Sequence, residues 1–299
     1  SEAVYAQEGI LNFASHIWGP QPIRVLLSNF STSCSFSFAT AEDADIESVA
    51  DIAGKRLTFV QGAPSLNNAS TALLSYAGLT WDDVERVEVG GYNASIDAVI
   101  NNRADVAGGA CNSPPFLRLE TSPRGLFWVP FPHDNPEGIA RVRQRLPWYV
   151  PHVATEGPTI DEEEGVEVFT SAYPLLVAME DLDADMVYGI TKVISVHYDE
   201  YKNSAPGANG WRIDGQQLEN AFIPYHEGAI RYFKEVGIWT PEAEERQQQN
   251  LYRQEVLKAA WDDFLPTAPE GRTAFSDAWL TFRANRLAEN GLITLSDSQ

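Results

Sequence analysis

The histidines and cysteines that could do acid–base, nucleophilic or metal chemistry are few in this chain and widely scattered. The five histidines are His16, His133, His152, His197 and His226, and no two stand at the i, i+4 spacing that puts a pair of zinc ligands on one helix face. The run Asp181-Leu-Asp183-Ala-Asp185 opens like a calcium loop, but Met186 stands where the obligatory glycine belongs and Lys192 where the bidentate glutamate belongs. The other reading is a carboxylate-rich helix start, favoured by the helix dipole. Cys111 follows a glycine pair and has no histidine near it in sequence, so a nucleophilic role lacks its base. There is no Walker loop, no Gly-x-Gly-x-x-Gly and no Gly-x-Ser-x-Gly. The expectation is a protein without a catalytic residue, metal or cofactor.

Residues suited to holding a ligand are better placed. Gly62-Ala-Pro-Ser-Leu-Asn-Asn68 lies between an apolar run and a helical pattern, where exposed backbone N–H groups and the dipole favour an anion such as a carboxylate. Ser65, Asn67 and Asn68 add hydroxyl and amide donors there; the same residue types also serve simply as helix caps. Gly108-Gly-Ala-Cys-Asn-Ser-Pro-Pro115 follows another apolar run, at the edge where open parallel sheets bind ligands. Asn112 and Ser113 are the candidates in it, against an ordinary Asn-Ser-Pro turn. Tyr173, beside Pro174, reads either as an aromatic that closes over a ligand or as core. Tyr92 and Trp128 carry the same two readings.

The elements that must position these residues read as strand and helix in alternation. Arg56–Val60 is a strand, Ala69, Ala72, Leu73 and Tyr76 recur at helical spacing, and Gly78 stops that helix. Thr80-Trp-Asp-Asp83 has capping-box spacing, and Val84–Val89 is the next strand, ending at Gly90-Gly91. Ser95 reads as the cap of a short helix carrying Ile96, Val99 and Ile100, and Ala104–Ala107 as a third strand. Strand, helix, strand in this order argues for a parallel sheet with right-handed crossovers. Nine of the 18 prolines crowd residues 113–165, where short strands and crossing loops are expected. Strand character returns over Val166–Met179. Helices follow from about Asp183, within Ala221–Gly237, from Thr240-Pro241 onward, and from Arg272 to Glu289.

The 299 residues carry 21 Lys and Arg against 42 Asp and Glu, a net charge of -21, which repels phosphate backbones and excludes nucleic acid as a natural partner. Apolar residues make up 44%, enough for a packed core. Cys34 and Cys111 are too few for a disulfide-built scaffold. One disulfide is open to them, but a pair so far apart reads more readily as two buried thiols. The chain opens on Ser1 without a charged-then-apolar leader, as expected if a secretory signal has been removed.

At this point the residues resemble a family. Asp51-Ile-Ala-Gly-Lys-Arg56, a strand and Gly62-Ala-Pro64 look like a signature of periplasmic solute receptors. Ser122-Pro-Arg-Gly-Leu-Phe-Trp128, Val187-Tyr-Gly-Ile-Thr-Lys192 and Pro224-Tyr-His-Glu-Gly-Ala229 through Tyr232-Phe-Lys-Glu-Val-Gly237 are similar to the TAXI family, the solute-binding receptors of TRAP transporters. The resemblance spans roughly residues 20 to 262. It implies an α/β, two-lobe periplasmic-binding-protein (Venus-flytrap) fold with mostly parallel sheets flanked by helices. Residues 1–41 and 166–299 would build lobe one with a C-terminal helical extension, and residues 42–165 lobe two. A small organic anion would be captured between the lobes by hinge closure, held by Ser65, Asn67, Asn68, Asn112, Ser113 and Tyr173, and delivered to the membrane subunits of a TRAP permease. The location implied is the periplasm, and the receptor is expected to act as a monomer. Relatives carry further residues ahead of the match, so the resemblance also implies a segment preceding Ser1. They commonly have Gly-Ser-Gly-Thr after the proline, where this chain has Ser65-Leu-Asn-Asn68. Readings from other classes are a small-molecule sensor acting through a signalling partner and an α/β enzyme on small carboxylates.

Overall fold

The computed structural model describes residues 2–30 and 33–295. In chain order, the first stretch gives α1 (Glu2–Glu8) and β1 (Ile23–Ser28). Then come β2 (Ser37–Thr40), β3 (Arg56–Val60), α2 (Pro64–Ser75), β4 (Glu85–Val89), α3 (Tyr92–Ile100) and β5 (Val106–Gly109). They are followed by α4 (Pro115–Glu120), β6 (Phe127–Trp128), α5 (Pro136–Arg145), β7 (Val150–Ala154) and β8 (Val166–Thr170). The remainder is β9 (Leu175–Met179), α6 (Ala184–Val196), α7 (Tyr198–Tyr201), α8 (Glu227–Glu235), α9 (Pro241–Phe264) and α10 (Arg272–Glu289). The chain divides into two compact units: residues up to Phe30 together with those from Ala172 onward, and the residues between them.

The inserted unit is built on a five-stranded sheet in the order β4-β3-β5-β2-β6. β3 runs parallel to β4 and to β5, with α2 and α3 as the crossovers, as the alternation predicts. The other half of the sheet is antiparallel: β2 pairs with β5 (Ser37 opposite Gly109) and with β6 (Ala39 opposite Trp128). β7 and β8 form a separate antiparallel pair. The core is one aromatic-rich cluster around Phe38, Phe116, Phe131 and Phe169. Trp128 belongs to it, its indole N–H bonded to the Pro158 carbonyl at 2.9 Å, so its core reading holds. The Thr80 capping box is present, with the Asp83 carboxylate accepting from the Thr80 N–H at 2.8 Å; that backbone bond and the Thr80 hydroxyl hold the carboxyl below its usual range. α3 starts at Tyr92 behind Gly91, three residues ahead of the expected Ser95 cap, because the Ser95 hydroxyl is turned to the Tyr92 carbonyl at 2.6 Å.

The other unit carries a short ribbon, β1 antiparallel to β9, with a bulge at Leu26. Val25 also bridges Tyr225 in parallel on its other side, through Val25 N–H to Pro224 and His226 N–H to Val25, both 2.9 Å. Helices do the rest. α9 packs on α10 through Ala260, Phe264, Phe275 and Trp279, and the Trp279 indole donates to the Gly9 carbonyl at 2.7 Å. α6 lies against α8, and a Cβ at Gly228 would fall 2.3 Å from the Ala184 carbonyl oxygen and 2.8 Å from the Tyr188 nitrogen. Only a hydrogen there permits that approach. Gly228→Ala is therefore expected to cost about 1–3 kcal/mol, read as a lower urea midpoint at unchanged slope.

Candidate functional site

β3 and β5 are parallel neighbours, so the loops that leave their carboxyl ends emerge at one edge of the sheet. From β3 the chain turns through Gln61-Gly-Ala63 into α2, with Pro64 at its first position. From β5 it turns through Ala110–Pro114 into α4. Beside them β4 gives way to α3 at Gly90-Gly91, so the first turns of α2 and α3 present their uncapped N–H groups at this edge. No side chain caps either helix.

The candidate residues divide into three groups. Ser65, in the first turn of α2, and Asn112 and Ser113, in the loop after β5, lie half-buried, and their side chains make no hydrogen bond to a described residue. They are polar groups of the edge that remain available. Asn67 and Asn68 point inward and are buried. The Asn67 amide accepts from the Val60 N–H at 3.0 Å and donates to the Val60 carbonyl at 2.9 Å, which ties the first turn of α2 to the end of β3. The Asn68 oxygen accepts from Arg145 of α5 at 2.9 Å. Both asparagines thus set the geometry of the turn. Tyr173 belongs to the other unit; it is 53% exposed and its N–H donates to the Asn29 carbonyl at 2.9 Å.

The β5 loop is fixed in a way the sequence reading did not favour. Cys34 and Cys111 are both buried and form a disulfide, with Cα atoms 5.2 Å apart. The expectation of two thiols is corrected, and the nucleophile reading of Cys111 goes with it, since no thiol remains. The sheet register explains the pairing: Ser37 opposite Gly109 brings the chain ahead of β2 alongside the chain after β5. Gly109 is itself demanded by packing, since a Cβ there would lie 2.3 Å from the Tyr92 hydroxyl and 2.7 Å from the Phe116 ring.

In the other unit the carboxyl end of β1 carries a buried polar cluster that sequence reading passed over. Ser28 exchanges two hydrogen bonds with the Gln216 amide, 2.9 and 2.7 Å, and its hydroxyl lies 3.2 Å from that of Tyr225. Burial pushes the Tyr225 phenol up to about 12, against the smaller opposing pull of the Ser28 bond. Asn29 donates to the Gly207 carbonyl at 2.8 Å. The partners lie some 180 to 200 residues apart in sequence, which no local pattern reveals.

The remaining chemistry-bearing groups are engaged elsewhere. Asp183 caps α6 by accepting from the Met186 N–H at 2.8 Å, and Asp185 pairs with Arg231 at 2.7 Å, so the calcium-like run is a helix start. His197 pairs with Glu200, His133 with Glu167, and His226 caps α8. Among the described residues no three His, Cys, Asp or Glu side chains converge, and no helix is long and apolar enough to cross a membrane.

Solved structures similar to this chain include an ABC transporter periplasmic binding protein from Brucella ovis with glutathione bound, at 11% identity over 61% of this chain and 48% of that one, TM-score 0.36. Another is the periplasmic aliphatic sulphonate binding protein from Escherichia coli, at 13% identity over 92% of this chain and 67% of that one, TM-score 0.36. The chain thus spans about half to two-thirds of the length of these two proteins. Residues 18–237, most of the sequence, match the NMT1-like family. The chain belongs to the NMT1-like family.

Proposed function

We propose that this chain is an extracytoplasmic solute-binding receptor that captures a small organic anion, a carboxylate such as an amino acid or oxo acid, and delivers it to a TRAP-type permease. The observation that carries the reading is the sheet edge where the α2 and α3 N-termini meet the unengaged Ser65, Asn112 and Ser113. Uncapped backbone N–H groups and the dipoles favour negative charge, and the side chains add hydroxyl and amide donors to fix its orientation. Asn67 and Asn68 position the turn. The Cys34–Cys111 disulfide supports an oxidising compartment, since such bonds persist outside the cytoplasm. The TAXI-like motif run supports the TRAP assignment over other permease classes.

The test is a thermal-shift screen of the purified chain against mono- and dicarboxylates, amino acids and oxo acids, with each compound recovered and weighed by mass spectrometry. A concentration-dependent rise in Tm with the compound unchanged is expected. Ser65→Ala and Asn112→Ala should each weaken that binding about 5- to 10-fold, the worth of one hydrogen bond, and leave the ligand-free Tm within experimental error. Conversion of the compound would show an enzyme instead. Binding indifferent to both substitutions would move the site away from this edge.

A further inference from the structure

Helix α6 turns its apolar side outward. Its buried positions are Val187, Thr191 and Ser195, two of them polar. Met186, Ile190, Val193 and Val196 fall on the opposite side at helical spacing and are 55, 36, 57 and 59% exposed. Gly189, the only other residue between them on that side, carries no charge either. Immediately ahead in the chain, β9 reads Leu-Leu-Val-Ala-Met, with Val177 and Met179 exposed. Among the described residues β9 pairs with β1 alone, so its outer row of N–H and C=O groups has no ladder partner.

α8 covers the buried side of α6, so the apolar side of α6 looks away from α8. α8 follows Tyr225, which bridges β1 on the edge away from β9. An uncharged strand with a free edge, followed in the chain by an exposed apolar helix face, is what an edge-to-edge pairing between copies uses and what isolated proteins normally avoid.

We propose that this face joins two copies of the chain, β9 pairing antiparallel with β9 about a two-fold axis at Val177, with the α6 faces closing over the joined sheet. The segment is self-complementary under that symmetry: Leu175 meets Met179, Leu176 meets Ala178, and Val177 meets itself, with no like charges brought together. On a chain of net charge -21, an uncharged face is where two copies approach at least electrostatic cost. The exposed apolar surface of Val177, Met179, Met186, Ile190, Val193 and Val196 comes to roughly 500 Å² per copy, so the pair buries about 1,000 Å², where specific interfaces begin. The dimer replaces the monomer expected from the sequence.

Sedimentation equilibrium of the full chain at micromolar concentration is expected to give twice 33.1 kDa. Val193→Asp should return it to the single mass with its circular dichroism and Tm unchanged, because the side chain is exposed in one copy. The register has its own readout. Under mild oxidation Val177→Cys should cross-link two chains, since residues directly opposite on paired strands stand about 4.5–5.5 Å apart, within disulfide reach, whereas Met179→Cys should not. A single mass for the wild-type chain overturns the proposal. So does a dimer that Val193→Asp leaves intact, or equal cross-linking at both cysteines.

Discussion

Glu8→Gln is expected to destabilise the unit formed by residues 2–30 and 172–295 by about 3–5 kcal/mol, much of the stability of an ordinary domain. Glu8 is fully buried at the end of α1. Arg253 of α9 grips it with two bonds of 2.7 Å, and Arg283 of α10 donates to the same carboxylate. Both guanidinium groups are themselves buried, so removing the one negative charge leaves two desolvated cations facing each other. The prediction has a pH signature. Burial pushes the Glu8 carboxyl up, but the charges of Arg253 and Arg283 and their hydrogen bonds outweigh it and hold it at about 2, against 4.5 ordinarily. A carboxyl lower in the folded than in the unfolded chain stabilises fully above pH 4.5 and loses that contribution as pH falls toward 2. Urea midpoints of the native chain should therefore fall across that window by an amount worth about 3 kcal/mol, and those of Glu8→Gln should fall less. Replacing all three residues by leucine separates charge from packing: near-native stability would show that the charged triad is tolerated rather than needed.

Reduction of the Cys34–Cys111 bond is the second large effect. The cysteines are 77 positions apart, and closing a loop of that length restricts the unfolded chain by about 4.5 kcal/mol in the chain-entropy model. Cys34→Ala/Cys111→Ala should lower the urea midpoint of the inserted unit accordingly, and added reductant should then change nothing further. The same variant should weaken the carboxylate binding proposed above, because the bond fixes the loop that carries Asn112 and Ser113. A native midpoint that does not move on reduction would mean that the bond restrains nothing the sheet does not already hold.

These two effects rest on contacts that the sequence does not advertise, and the reason is distance. What was legible is local. Arg56–Val60 and Arg272–Glu289 form the elements expected of them, and Thr240 caps α9 by accepting from the Ala243 N–H, because turn and cap chemistry acts within three or four residues. Glu8 finds its arginines 245 and 275 residues away, and no pattern of spacing predicts that. The polar residues of α9 mislead for the same reason. Gln247, Asn250 and Arg253 are of types usually found at the surface, yet all three are buried, bonded to Tyr225, Ala221 and Glu8. α5 hides in the proline-rich stretch, although Asn135 before Pro136 is a start signal: the Asn135 side chain accepts from the Gly138 N–H at 2.9 Å. At the candidate edge the loops were found from glycine and proline, and the residue types within them could not tell Ser65, left available, from Asn67, absorbed by Val60.

One strand ladder sets the order in which the molecule can be made. β1 lies near the start of the chain and its partner β9 begins at Leu175, with the whole of the inserted unit threaded between them. During synthesis or export the inserted unit, compact and continuous in sequence from residue 33 to 171, can fold and oxidise while β1 and α1 still wait. Glu8 waits longer, since Arg253 and Arg283 lie 245 and 275 residues further on. The nascent chain thus carries an apolar strand without its partner and a helix ending in a carboxylate without its cations until those segments emerge. That is the interval in which a holding chaperone or a rival strand would find it.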